Sequence, residues 1–91
     1  MTVLTDQEVE ERLADSGWRH DGRAIVREWT FADFAKAIAF VNRVAEAAEA
    51  ANHHPDITIS WNKVELTLTT HSEGGLTEND FELAARIDSL A

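Results

Sequence analysis

The chain has 91 residues, 44% of them hydrophobic, and 17 Asp and Glu against 8 Lys and Arg give a formal net charge of −9. That length makes one domain, 1–91, the apolar fraction is too high for disorder, and so acidic a surface argues against direct nucleic-acid or membrane binding. There is no cysteine for disulfides or thiolate chemistry, no apolar run near the roughly 20 residues of a membrane span, and no basic-then-apolar secretory start in Met1–Asp6, so a cytoplasmic protein is expected.

Thr5-Asp6-Gln7-Glu8 has the form of a capping box, with a hydroxyl for the third amide and a carboxylate that reaches back. Val9 and Leu13 then share one helical face, and Gly17 is placed to end the helix. Trp18–His20 and Ala24–Phe31 flank Asp21-Gly22, a dipeptide suited to a tight turn, which predicts a hairpin with His20 solvated beside it.

The longest helix is predicted from about Ala32 to Asn52. Phe34, Ile38, Val41, Ala45 and Ala48 recur at helical spacing, with Ala37, Phe40 and Val44 broadening the stripe. Pro55 ends it, because the residue before a proline is pushed out of the helical region, and His54 is held extended at the exit.

Ile57, Ile59 and Trp61 alternate with Thr58 and Ser60, and Val64, Leu66 and Leu68 alternate with Glu65, Thr67 and Thr69. Asn62-Lys63 is read as the connection between these two strands. By parity His71 joins the polar set where the second strand runs out. Ser72-Glu73-Gly74-Gly75 forms a loop, and Thr77 caps a last helix with Asp80 at its third position, continued by Phe81, Ala84, Ala85 and Ile87.

The resulting order α-β-β-α-β-β-α predicts an α+β fold, a two-layer sandwich with helices on one face of a four-stranded antiparallel sheet. The other face, rich in Thr, Ser and Glu, is left for solvent, a partner or a site.

Converging histidines suggest proton transfer or metal binding. Glu49 lies four residues before His53, close enough along a helix to orient its imidazole, and a helix C-terminus favours positive charge nearby. Three histidines can also hold zinc, but adjacent histidines on a short turn rarely point the same way, so no metal is assigned.

The full run is Glu49, His53-His54-Pro55, Trp61, His71 and Asp80, with Trp29–Phe34 before it and Thr70 through Thr77 within it. In this spacing the chain resembles the pterin-4a-carbinolamine dehydratase family over nearly its whole length. It departs from some relatives at Ile57, where they carry an aromatic. The resemblance implies a hydro-lyase that removes water from 4a-hydroxytetrahydropterin to give quinonoid dihydropterin, without a cofactor, in pterin recycling.

It further implies that His53, His54 and His71 form the site, with Glu49 and Asp80 supporting them beside Pro55. Thr70, Ser72 and Glu73 would contact the pterin. In this reading His54 and His71 are the general acid and base and His53 positions the substrate. The resemblance also implies a homodimer or homotetramer. A non-catalytic alternative exists on the same fold, as a dimerisation or assembly cofactor, although such relatives would be expected to lose the histidines that this chain keeps.

Overall fold

A computed structural model describes residues 2–91, and their element order is the expected one. Helix α1 spans Asp6–Leu13, strands β1 and β2 span Arg19–Asp21 and Ala24–Thr30, and helix α2 spans Phe34–Ala51. Strands β3 and β4 span Asp56–Ser60 and Lys63–Leu68, a single 3-10 turn covers His71–Glu73, and helix α3 spans Glu78–Asp88. All pairings are antiparallel, in the sheet order β1-β2-β4-β3. The fold is α+β, with four strands and three helices. Among the described residues no helix is long and apolar enough to cross a membrane.

The capping box forms at the start of α1: Glu8 N–H donates to Thr5 Oγ1 at 3.1 Å, and Thr5 N–H donates to Glu8 Oε1 at 2.9 Å. These bonds satisfy two of the amides that a helix start leaves open. Val9 and Leu13 are buried as the spacing requires. The helix ends at Leu13, however, four residues before Gly17. Gly17 serves a close approach instead, since a Cβ there would run into the Arg27 guanidinium. Arg27 lies over the Trp29 ring and bonds Asp88 at 3.1 Å, so α3 and the first hairpin are tied together at this point.

Two turns differ from the sequence reading. His20 is a β1 residue with its ring largely covered, and its Nδ1 lies 2.8 Å from Glu10 Oε1, so it tethers β1 to α1 and is not a solvated turn residue. Ser60 pairs with Lys63, which makes Trp61-Asn62 the connecting residues. Asn62 fixes that turn by bonding Phe31 through both backbone and side chain, at 2.8 and 2.9 Å. Trp61 is carried into the left-handed region at φ 53.

The core lies between the sheet and the helices. Register places Ile25 against Leu68 and Trp29 against Val64 on the helix-facing side. There Trp29 meets the Trp18 edge at 5.6 Å and Phe40 at 5.0 Å, in the tilted geometries that aromatic pairs prefer. On α2 the buried face is Ala37, Phe40, Val44, Ala47 and Ala48. Ala37, Phe40, Val44 and Ala48 are expected there, whereas Phe34, Ile38 and Val41 of the expected stripe lie roughly a quarter turn away, at 100° per residue, and Phe34 is 52% exposed. The apolar surface of α2 is wider than the sheet covers, so the most regular stripe is not the deepest one.

Candidate active site

Asn52 decides how the histidine pair is presented. It adopts φ 51 and ψ 42 just after α2, and His53 N–H then donates back to the Ala48 carbonyl at 3.1 Å, the closing bond of a Schellman turn. Because the chain reverses there, the spacing of four residues no longer puts Glu49 beside His53. Glu49 Oε1 lies 2.8 Å from His54 Nε2, and this pair is exposed. His53 is turned inward, and its Nε2 lies 2.5 Å from Asp80 Oδ1. Pro55 is half-buried between this exit and β3.

Asp80 is completely buried at the third position of α3. Its Oδ2 accepts from the Thr70 hydroxyl at 2.8 Å and from Thr77 N–H at 2.9 Å. The Thr70 and Thr77 hydroxyls lie 2.9 Å apart, and both residues are buried. With these donors on one oxygen, the other is left to accept from His53 Nε2–H. Hydrogen bonding at one imidazole nitrogen fixes the role of the other. Among the described residues His53 Nδ1 has no hydrogen-bond partner, and it is not enclosed.

The structure thus joins His53, Asp80, Thr70 and Thr77 in one chain of hydrogen bonds and leaves His54 in a separate pair with Glu49. Thr70 spends its side chain on Asp80, so it is not free to contact a ligand through its hydroxyl. His71 follows it directly as the first residue of the 3-10 turn, where Gly74 at φ 74 closes the turn onto the His71 carbonyl. Ser72 and Glu73 are exposed on the same turn.

Two concave surfaces adjoin these residues. One, of about 300 Å³, lies between α2 and α3 and is lined by His53. Its apolar part is Ala47, Ala50, Ala51 and Leu83, and its polar part is Asn79, Glu82 and Arg86. The other, of about 330 Å³, brings His71 together with Arg23, Ala24, Thr69 and Gly74. His53 and His71 therefore line different depressions, linked through Thr70 and Asp80. Among the described residues no group of three His, Asp or Glu side chains is placed to hold a metal ion.

Sequence reasoning named Thr77 only as a helix cap and did not single out Asn79, Glu82 and Arg86, which line the cleft beside His53. The spacing of Asn79, Glu82 and Arg86 sets them on one face of α3, a legible signal, but only the packing of α2 shows that this face borders His53.

This is a small α+β protein in which a buried carboxylate holds a histidine at the rim of an interhelical cleft. The chain belongs to the pterin 4 alpha carbinolamine dehydratase family, whose profile matches residues 2–90. A Roseiflexus sp. relative is 54% identical over 98% of this chain and 97% of its own, and one from Thermomicrobium roseum is 51% identical over 100% and 99%. Both bear the name pterin-4-alpha-carbinolamine dehydratase as a provisional one. A crystal structure from Brucella melitensis, described as a transcriptional coactivator/pterin dehydratase, superposes with a TM-score of 0.92 at 42% identity, covering 99% of both chains. A pterin dehydratase-like protein identified as a RuBisCO assembly factor of the alpha-carboxysome superposes at 0.72 with 29% identity, covering 85% of this chain and 92% of its own.

Proposed function

We propose that this chain is a hydro-lyase that converts 4a-hydroxytetrahydropterin to quinonoid dihydropterin and water by histidine acid–base catalysis. The observation that carries this reading is the His53–Asp80–Thr70 chain of hydrogen bonds, which ends on an accessible imidazole nitrogen beside a cleft.

The elimination has a simple proton balance. An imidazolium gives a proton to the 4a-hydroxyl, the C4a–O bond breaks and water leaves. The ring closes a C4a=N5 double bond, and the N5 proton goes to a neutral imidazole. Each such transfer contributes roughly 10²–10⁴-fold. Because Asp80 holds Nε2–H of His53, Nδ1 is the nitrogen that exchanges protons with the substrate, a larger role than positioning. For the complementary transfer this reading requires that His54, oriented by Glu49, or His71 reach the same ring, although His71 lines a neighbouring depression. The working unit in this reading is a homodimer or homotetramer.

The test is to generate the carbinolamine and follow its dehydration optically with and without the protein. His53→Ala, His54→Ala and His71→Ala should each slow the catalysed step at least about tenfold. Unchanged rates in all three would remove the acid–base assignment.

A second reading, a non-catalytic dimerisation or assembly cofactor, is supported by the likeness to the RuBisCO assembly factor. It requires that the wild-type protein leave the dehydration rate unchanged and that a protein partner co-purify with it from the native host.

A further inference from the structure

Thr77 stands at the far end of the hydrogen-bond chain that begins at His53. It is completely buried at the start of α3 and lines neither of the depressions that His53 and His71 border. Its bonds nevertheless have a fixed sense. The Thr70 hydroxyl has one proton, and that proton is directed at Asp80 Oδ2, 2.8 Å away. At the 2.9 Å contact between the two hydroxyls Thr70 can then only accept, so Thr77 donates. Thr77 also gives its backbone N–H to the same Oδ2 at 2.9 Å. One residue thus drives two donors onto one oxygen of Asp80, the first directly and the second through Thr70. The other oxygen, Oδ1, is left to His53 Nε2 at 2.5 Å. Buried bonds running head to tail in this way polarise one another.

We propose that Thr77 is a positioning residue for the dehydration, whose hydroxyl keeps the neutral His53 ring in its Nε2–H form. This inference rests on the dehydratase reading given above. By fixing the direction of the Thr70 proton, Thr77 holds the Asp80 carboxylate in one orientation, and the carboxylate holds the ring. Without that hydroxyl the buried Thr70 oxygen loses its donor, its own proton is free to turn away from Asp80, and the carboxylate can rotate. The ring then populates both neutral forms. An imidazole that carries its proton on Nδ1 cannot accept another there, so that fraction is lost to the reaction. The loss falls on the chemical step and not on binding, because Thr77 borders neither depression.

Two measurements on the purified full chain test this. Proton–nitrogen NMR correlation of the wild-type protein, at a pH where the His53 ring is neutral, should show the Nε2–H form; the Nδ1–H form would overturn the inference without any variant. In the optical dehydration assay, Thr77→Val keeps the shape and deletes the hydroxyl. It should lower kcat about tenfold, leave KM within about twofold and divide His53 between its two neutral forms. Thr77→Ser should restore both readouts. Thr77→Gly, a change that helix starts tolerate better, should show the same two losses and serves where the valine variant does not fold. A purely structural Thr77 would lower Tm in these variants while their folded protein kept the wild-type kcat and the Nε2–H form. That result overturns the inference and leaves the dehydratase reading standing. If the wild-type protein does not speed dehydration, the dehydratase reading fails and this inference with it.

Discussion

Asp80 is the residue on which the site depends, because every polar group around it donates. Thr70 hydroxyl and Thr77 N–H occupy one oxygen and His53 occupies the other. Removing one donor from a buried acceptor costs more than an ordinary hydrogen bond contributes, because the oxygen cannot turn to water. Thr70→Val, which keeps the shape and deletes the hydroxyl, should cost about 1–3 kcal/mol in denaturant unfolding. It should also lower the dehydration rate and move the His53 ring nitrogen resonances, whereas Thr70→Ser should restore all three. A variant that loses stability but keeps wild-type His53 resonances would separate Asp80 from the chemistry.

At the scale of elements, α1 shows how local bonds become a pH dependence. Backbone and side-chain bonds from Thr5, with a smaller contribution from Arg12, hold the Glu8 carboxyl below its ordinary value of 4.5. A group depressed on folding stabilises the folded state above its unfolded value, and that contribution disappears as pH falls through the folded value. The wild-type chain should therefore melt at a higher temperature than Glu8→Gln at pH 7, and the gap should narrow from about pH 4.5 downward. A gap that stays constant to pH 3 would show that Glu8 acts by packing and not by charge. The same helix is held to the rest of the molecule by His20 with Glu10 and by Arg12 with Glu78, so losing the cap affects more than one element.

At the scale of the whole molecule, the helix layer does not use up the apolar surface. Trp61 is 70% exposed, Ile57 38% and Phe34 52%, and β3 is an outer strand of the sheet. An exposed edge strand with apolar side chains is a place where chains associate, and a 91-residue core gains from such association. Sedimentation equilibrium should give at least twice the 10.2 kDa chain mass. The double variant Ile57→Lys, Trp61→Lys should move the distribution toward monomer. A monomeric wild-type protein would refute the homo-oligomer proposal.

The element order, both hairpins, the caps at Thr5 and Thr77 and the residues of the histidine signature were legible in the amino-acid sequence, because each depends on neighbours a few positions away. Periodicity could not say which of the two overlapping stripes on α2 would be buried, since both are helical and only the width of the sheet distinguishes them. It also paired Glu49 with His53, as holds for a continuing helix, whereas one left-handed residue at Asn52 gave Glu49 to His54 and His53 to Asp80. The sequence alone therefore determined which chemical groups this protein carries and on which elements they lie. Tertiary packing decided their partners, because a hydrogen bond across 27 residues, as between His53 and Asp80, is set by where two helices meet and not by any local preference.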